Sequence, residues 1–166
     1  MKSTLIAALA LATVTGAGMM MVAAGPDGGG LNGASIAGTY VSVFEYDGAT
    51  LMATVQFNAD GTVLCSHQTD FGVIGFVTAP AYGSWAWSGP GKIEGTMLAL
   101  CFQPDGTPIG TLQLRFATKF EDGLQTAHGQ VKERFYRVGQ DPLDPLQGEP
   151  FGPEVVSPTL RRLSAQ

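Results

Sequence analysis

Charge is scarce in this chain. Asp, Glu, Lys and Arg make up 14% of its 166 residues, and no stretch gathers the basic ones together. The formal net charge is −5, and an acidic chain without a basic cluster is a poor partner for nucleic acid or an anionic membrane. Histidine is scarcer still. His67 and His128 stand apart, with no H-x-H, H-x-x-H or Cys-His spacing. No metal site is therefore written into the sequence, even with Asp70 and Glu45 as further candidate ligands. A G-x-S-x-G elbow is also missing. Ser84 precedes Trp85 inside a strand-like run rather than at a strand-to-helix turn, which removes support for a hydrolytic nucleophile. Gly28, Gly30 and Gly33 do fit G-x-G-x-x-G. That spacing cradles a pyrophosphate only between a strand and a helix, so no cofactor is implied.

Cysteine is limited to Cys65 and Cys101. An even number in an exported chain favours a disulfide. In a simple meander, however, the two lie on strands separated by the Trp85 strand, roughly 9–10 Å apart at ~4.8 Å per strand. A bridge needs Cα atoms within about 7 Å. A bridge and two buried thiols both stay open.

Long apolar runs are confined to the N-terminus. Lys2 supplies a positive start, residues 5–14 an apolar core, and Val22-Ala23-Ala24 a small-residue cleavage site before Gly25. Residues 1–24 thus read as a signal peptide. The alternative, a membrane anchor, needs roughly 20 apolar residues, whereas Gly16 and Gly18 interrupt this run. The expectation is a secreted or periplasmic protein with no stable membrane insertion after cleavage. Residues 25–37 form a flexible Gly-rich lead-in.

What is abundant is β signal. Asp47-Gly48, Asp60-Gly61, Asp105-Gly106 and Asp122-Gly123 are hairpin-closing pairs, because Asp tolerates and Gly readily adopts positive φ. Between them lie runs of Val, Thr, Phe and Tyr, and no window outside the leader has a helical period. The predicted strands are 38–46, 49–57, 62–69, 82–88, 91–103, 108–119 and 124–137. The fold expected over 38–138 is all-β, a single antiparallel up-and-down barrel of seven or eight strands, since closure removes exposed edges. The remainder, 139–166, is a Pro-rich tail. Asp141-Pro142-Leu143 repeats as Asp144-Pro145-Leu146, and Pro150, Pro153 and Pro158 follow. Proline lacks the ladder N–H, which predicts an extended strap or a disordered end rather than a central strand.

Alternation assigns faces. Leu51, Ala53, Val55 and Phe57 share one, and Leu112, Leu114, Phe116 and Phe120 alternate with Gln113, Arg115 and Lys119, giving a buried side and a wet one. Residues 97–102 are apolar at both parities, which suits a strand covered on both sides. Trp85 and Trp87 share a face, as do Tyr40 and Phe44. The connection 70–81 carries Phe71, Ile74 and Phe76, as a lid over a barrel mouth or as packing over one end. Such aromatics can fill a small barrel or line a cavity in it. Small residues expected to face inward (Ala53, Ala86, Gly95 and Ala99) favour the cavity. Trp85, Trp87, Tyr40, Phe44, Phe71 and Phe76 are thus the candidate ligand-binding set.

The pattern Phe-x-x-Asp-Gly-Thr, Gly-x-Trp-x-x-x-Gly, an apolar strand and Asp-Gly-x-x-x-Gly runs from Phe57 through Gly110. It resembles a group of exported bacterial proteins of unknown function, whose barrels are similar to the calycin and allene-oxide-cyclase type. Gly38-Thr39-Tyr40 echoes the lipocalin opening Gly-x-Trp, with Tyr in place of Trp. The resemblance implies a cup for a small apolar molecule and carries no catalytic residue across. Three functions remain: carriage of such a molecule, cyclase or isomerase chemistry in the same cup, or an envelope interaction protein with a filled barrel. The second needs a charged residue inside, for which Glu45, Glu94, Arg115 and His128 are the candidates.

Overall fold

The computed structural model describes residues 33–68, 75–121 and 123–164. The proposed signal peptide and most of the lead-in lie outside them, as does Phe71. A single helical turn, α1 (Gly33–Ile36), precedes ten strands: β1 (Gly38–Tyr46), β2 (Ala49–Phe57), β3 (Thr62–His67), β4 (Val77–Thr78), β5 (Ala81–Gly89), β6 (Lys92–Phe102), β7 (Pro108–Phe120), β8 (Thr126–Arg137), β9 (Glu149–Val156) and β10 (Thr159–Arg162). Neighbours pair antiparallel in the order β10-β1-β2-β3-β5-β6-β7-β8, and β10 also pairs with β8. The sheet therefore closes on itself as an eight-stranded barrel, with β4 and β9 as two extra strands. This is the predicted all-β antiparallel barrel.

The turn chemistry acts as the sequence implies. Tyr46 pairs with Ala49, leaving Asp47 and Gly48 as a two-residue loop with φ of 48° and 77°. Positive φ at both positions is the twist that suits adjoining antiparallel strands. The corners at 58–61 and 103–106 share a second design. The N–H of Gly61 donates to Asn58 O and that of Gly106 to Gln103 O, while Asp60 and Asp105 accept the N–H of Thr62 and Thr107 at 2.9 Å each. The Thr62 hydroxyl and N–H hold the Asp60 carboxyl below its usual pKa, and the Thr107 N–H and hydroxyl do the same for Asp105.

The tail departs from expectation. Its last four-residue strand, β10, pairs Leu160 with Ser42 on β1 and with Ala127 on β8, so the C-terminus supplies the closing stave. Pro158 stops short of that ladder, which is why a Pro-rich tail can still contribute a strand. Just before it, β9 pairs with the other half of the same β8 edge, through Phe151 opposite Glu133. The Asp-Pro-Leu repeat forms a strap on the outside. Pro142 O accepts from Gln113 Nε2 at 2.6 Å, and Arg134 Nη1 donates to Pro145 O and Gly148 O at 2.7 Å each. Gln113, expected on the wet face, is buried beneath this strap. Residues 97–102 also differ from expectation. Met97, Ala99 and Cys101 are buried, but Leu100 points outward and is exposed, so β6 is covered on one side there.

One end of the barrel is filled by aromatics. The Tyr40 ring lies 5.6 Å from Phe57 and 5.7 Å from Phe120, and Phe57 also meets Trp85 and Phe116 at 6.2 Å, mostly edge to face. Such geometry adds about 0.5–1.5 kcal/mol per pair to simple burial. Gly95 leaves room for this plug, because a Cβ there would strike the Phe116 ring and the Ser84 carbonyl. Ala53 and Ala99 face inward as expected, whereas Ala86 is exposed on the outside. Cys65 and Cys101 are both buried thiols, not a disulfide, and β5 runs between their strands. Compartment-based reasoning gives way here to strand spacing. Burial raises the Cys101 thiol to about 11.

Candidate functional site

Above the plug the barrel is not filled. Inward residues of β1, β2, β3, β6, β7, β8, β9 and β10 surround a cavity of about 80 Å³. Its walls are mostly apolar: Phe44, Ala53, Val55, Leu112, Leu114, Val131 and Leu160 contribute. An engineered apolar cavity of about 150 Å³ in another protein stays dry and takes benzene. This one is about half that size and suits a smaller body. It reaches toward the end where β1 finishes, and Tyr46 lines both the cavity and a shallow outer depression bordered by Asp47, Leu51 and Gly152.

The polar members of the wall are few, and they differ from those the sequence suggested. Glu45, Glu94, Arg115 and His128 all point outward: Glu45 accepts from Thr50 Oγ1 at 2.5 Å, and His128 sits 2.9 Å from Glu121 on the surface. Inside are Ser42, Tyr46, His67, Thr118 and Glu133. Glu133 is the residue that sequence reasoning missed. It lies within Lys132-Glu133-Arg134, which looks like an exposed charged run. Strict alternation with Val131 and Phe135 nevertheless puts its side chain on the inner face.

Removal from water alone lifts the Glu133 carboxyl to about 7, since the charged form is disfavoured in an apolar setting. No hydrogen bond or ion pair to this carboxyl exists among the described residues. Tyr46 lines the same site, with its hydroxyl close to Gly152 at the rim. Desolvation first, then the charges of Glu133 and Asp47, push it up to about 12, so it stays a neutral donor. His67 is buried on β3 and lines the cavity too. Chemically, the site offers an apolar body, one acid that changes charge near neutrality, a phenol and an imidazole. Among the described residues no three His, Cys, Asp or Glu side chains converge as metal ligands would.

The predicted aromatic set is divided by the fold. Phe44 lines the cavity. Tyr40, Trp85 and Trp87 belong to the closed end: Trp85 donates from Nε1 to Thr62 O at 3.1 Å, and Trp87 packs edge-on against it at 5.8 Å. Phe76 meets Phe135 at 6.1 Å and Phe151 at 5.6 Å, an aromatic trio at the opposite end. The Phe71–Phe76 lid expected from the sequence is described only from Gly75 onward, and Phe71 lies outside the described residues.

No family model matches this chain, and comparison with curated proteins and with solved structures gives no significant match. The closed eight-stranded antiparallel barrel is compatible with a calycin-like fold. That is a statement of architecture, and function must be argued from the site.

Proposed function

We propose that this protein is an exported, lipocalin-like binding module that takes a small, largely apolar molecule into its barrel. The observation that carries this reading is the unfilled space above the aromatic plug, walled by inward apolar side chains from eight strands. A barrel of this strand number is wide enough either to be filled by its own side chains or to hold one small ligand. Here one end does the first and the other has room for the second. Export rests on the N-terminal signal pattern.

Native mass spectrometry of protein purified from its own host tests the reading. A recovered organic adduct, released on denaturation, supports carriage. A mass equal to the bare chain, together with failure to take up small apolar probes, favours the envelope interaction protein. Glu133 favours a second reading, acid–base chemistry of the isomerase kind, because a carboxyl near 7 can both donate and accept a proton at neutral pH. Turnover of a bound guest that Glu133→Gln abolishes, with binding retained, would distinguish the enzyme from the carrier.

A further inference from the structure

We infer that the guest carries a cationic amine, held by Glu133 and Tyr46 at the cavity's polar side while its apolar body sits among Val55, Leu114 and Leu160. The inference rests on the cavity-binding reading above. It starts from a carboxyl that the fold turns inward and leaves without a hydrogen bond or ion pair among the described residues, in a wall that is mostly apolar. A buried acid without a partner is costly when charged. A complementary cation removes that cost, and the same acid then discriminates among guests by charge.

The groups facing Glu133 agree in sign. Tyr46 on β1 is neutral, and its hydroxyl oxygen can accept one hydrogen bond from an ammonium N–H. From β3 come His67 and Cys65, from β7 Leu114 opposite Glu133 in register, and from β9 Phe151. None is a Lys or Arg, so no resident cation competes for the carboxylate. A carboxylate-bearing guest meets the opposite situation, repelled by ionised Glu133 and met by no Lys or Arg, with the His67 imidazole as the one basic side chain in the wall.

The charge state sets the pH profile. Glu133 titrates at about 7, so a protonated amine gains most above that pH and loses the advantage below it. A carboxylate guest follows the reverse order.

The test compares n-butylamine, n-butanol and butyrate, matched in body and different in head, by NMR titration at pH 5 and pH 8. The expected result at pH 8 is butylamine tightest, about tenfold or more over butanol, with butyrate weakest, and the gap narrowing at pH 5. In Glu133→Gln the amine preference disappears while butanol still binds. If butanol binds and butylamine binds no better at pH 8, or Glu133→Gln keeps the preference, the amine assignment is wrong and the cavity reading stands. If none of the three binds folded protein, both fall together.

Discussion

The Arg162 guanidinium lies over the Tyr40 ring, 5.9 Å from its centroid, and donates to Ser35 O at 3.2 Å and Ala37 O at 2.5 Å. The last strand thereby ties the segment before the first strand across the closed end. Beneath it, Tyr40 donates from its own hydroxyl to Ile36 O at 3.1 Å. One side chain thus holds together both ends of the described chain and the aromatic plug.

Arg162→Ala should destabilise the barrel by roughly 2–4 kcal/mol. Two charge-assisted hydrogen bonds and a cation–π contact are lost, and two carbonyls are left short of a donor. Arg162→Lys should recover only part of this, because an ammonium cannot reproduce the planar fork. Urea unfolding of the three proteins checks it, and an Arg162→Ala barrel as stable as wild type would contradict the role given to this residue.

Ending the chain after Ser157 removes β10 and leaves the edges of β1 and β8 unpaired over their closed-end halves. Open edges seek other strands. The truncated protein should lose its near-UV circular dichroism or self-associate, read by size-exclusion chromatography. A monomer with native spectra would mean the closing stave is dispensable.

Glu133 makes stability pH-dependent in an unusual direction. Its folded pKa, about 7, lies above the ordinary 4.5, so the native state binds more protons than the unfolded one between those values. Stability from this group is therefore full below about 4.5 and is lost as pH rises through about 7. The total is on the order of 3 kcal/mol at most. Glu133→Gln should be more stable than wild type at pH 8 and nearly equal to it at pH 4.5. Denaturant midpoints at the two pH values give the comparison, and a variant no more stable than wild type at pH 8 would contradict the desolvated placement of this carboxyl.

Cys65 and Cys101 should be slow to react with a thiol reagent in the native state, by about a hundredfold or more relative to the unfolded chain. Burial limits access, and for Cys101 it also disfavours the thiolate. Denaturation without reductant should release two titratable thiols. Finding none would mean a disulfide, which the intervening β5 argues against.

Much of this fold could be read from period two and from Asp-Gly corners. Leu51, Ala53, Val55 and Phe57 alternate cleanly, and the corners at Asp47-Gly48 and Asp60-Gly61 need only local chemistry to form. What escaped depends on partners distant in the chain. Arg161-Arg162 looks like a solvated basic pair until β10 docks and its second member finds carbonyls more than 120 residues earlier. Trp85 and Trp87 fill the closed end because Phe57 and Tyr40 arrive there from other strands. Glu133 was legible in principle from Val131 and Phe135, but its charged neighbours mask the alternation. The cavity itself is a difference of volumes, which no linear pattern records.

The most direct test of the account is methyl NMR of the wild-type protein titrated with n-butanol, beside a cavity-filling Ala53→Leu variant shown to be folded. The account predicts saturable shifts at Val55, Leu112, Leu114 and Leu160 that the variant loses. Shifts confined to outward residues such as Met52 and Leu100, or inner-methyl shifts that persist unchanged in the filled variant, would contradict it.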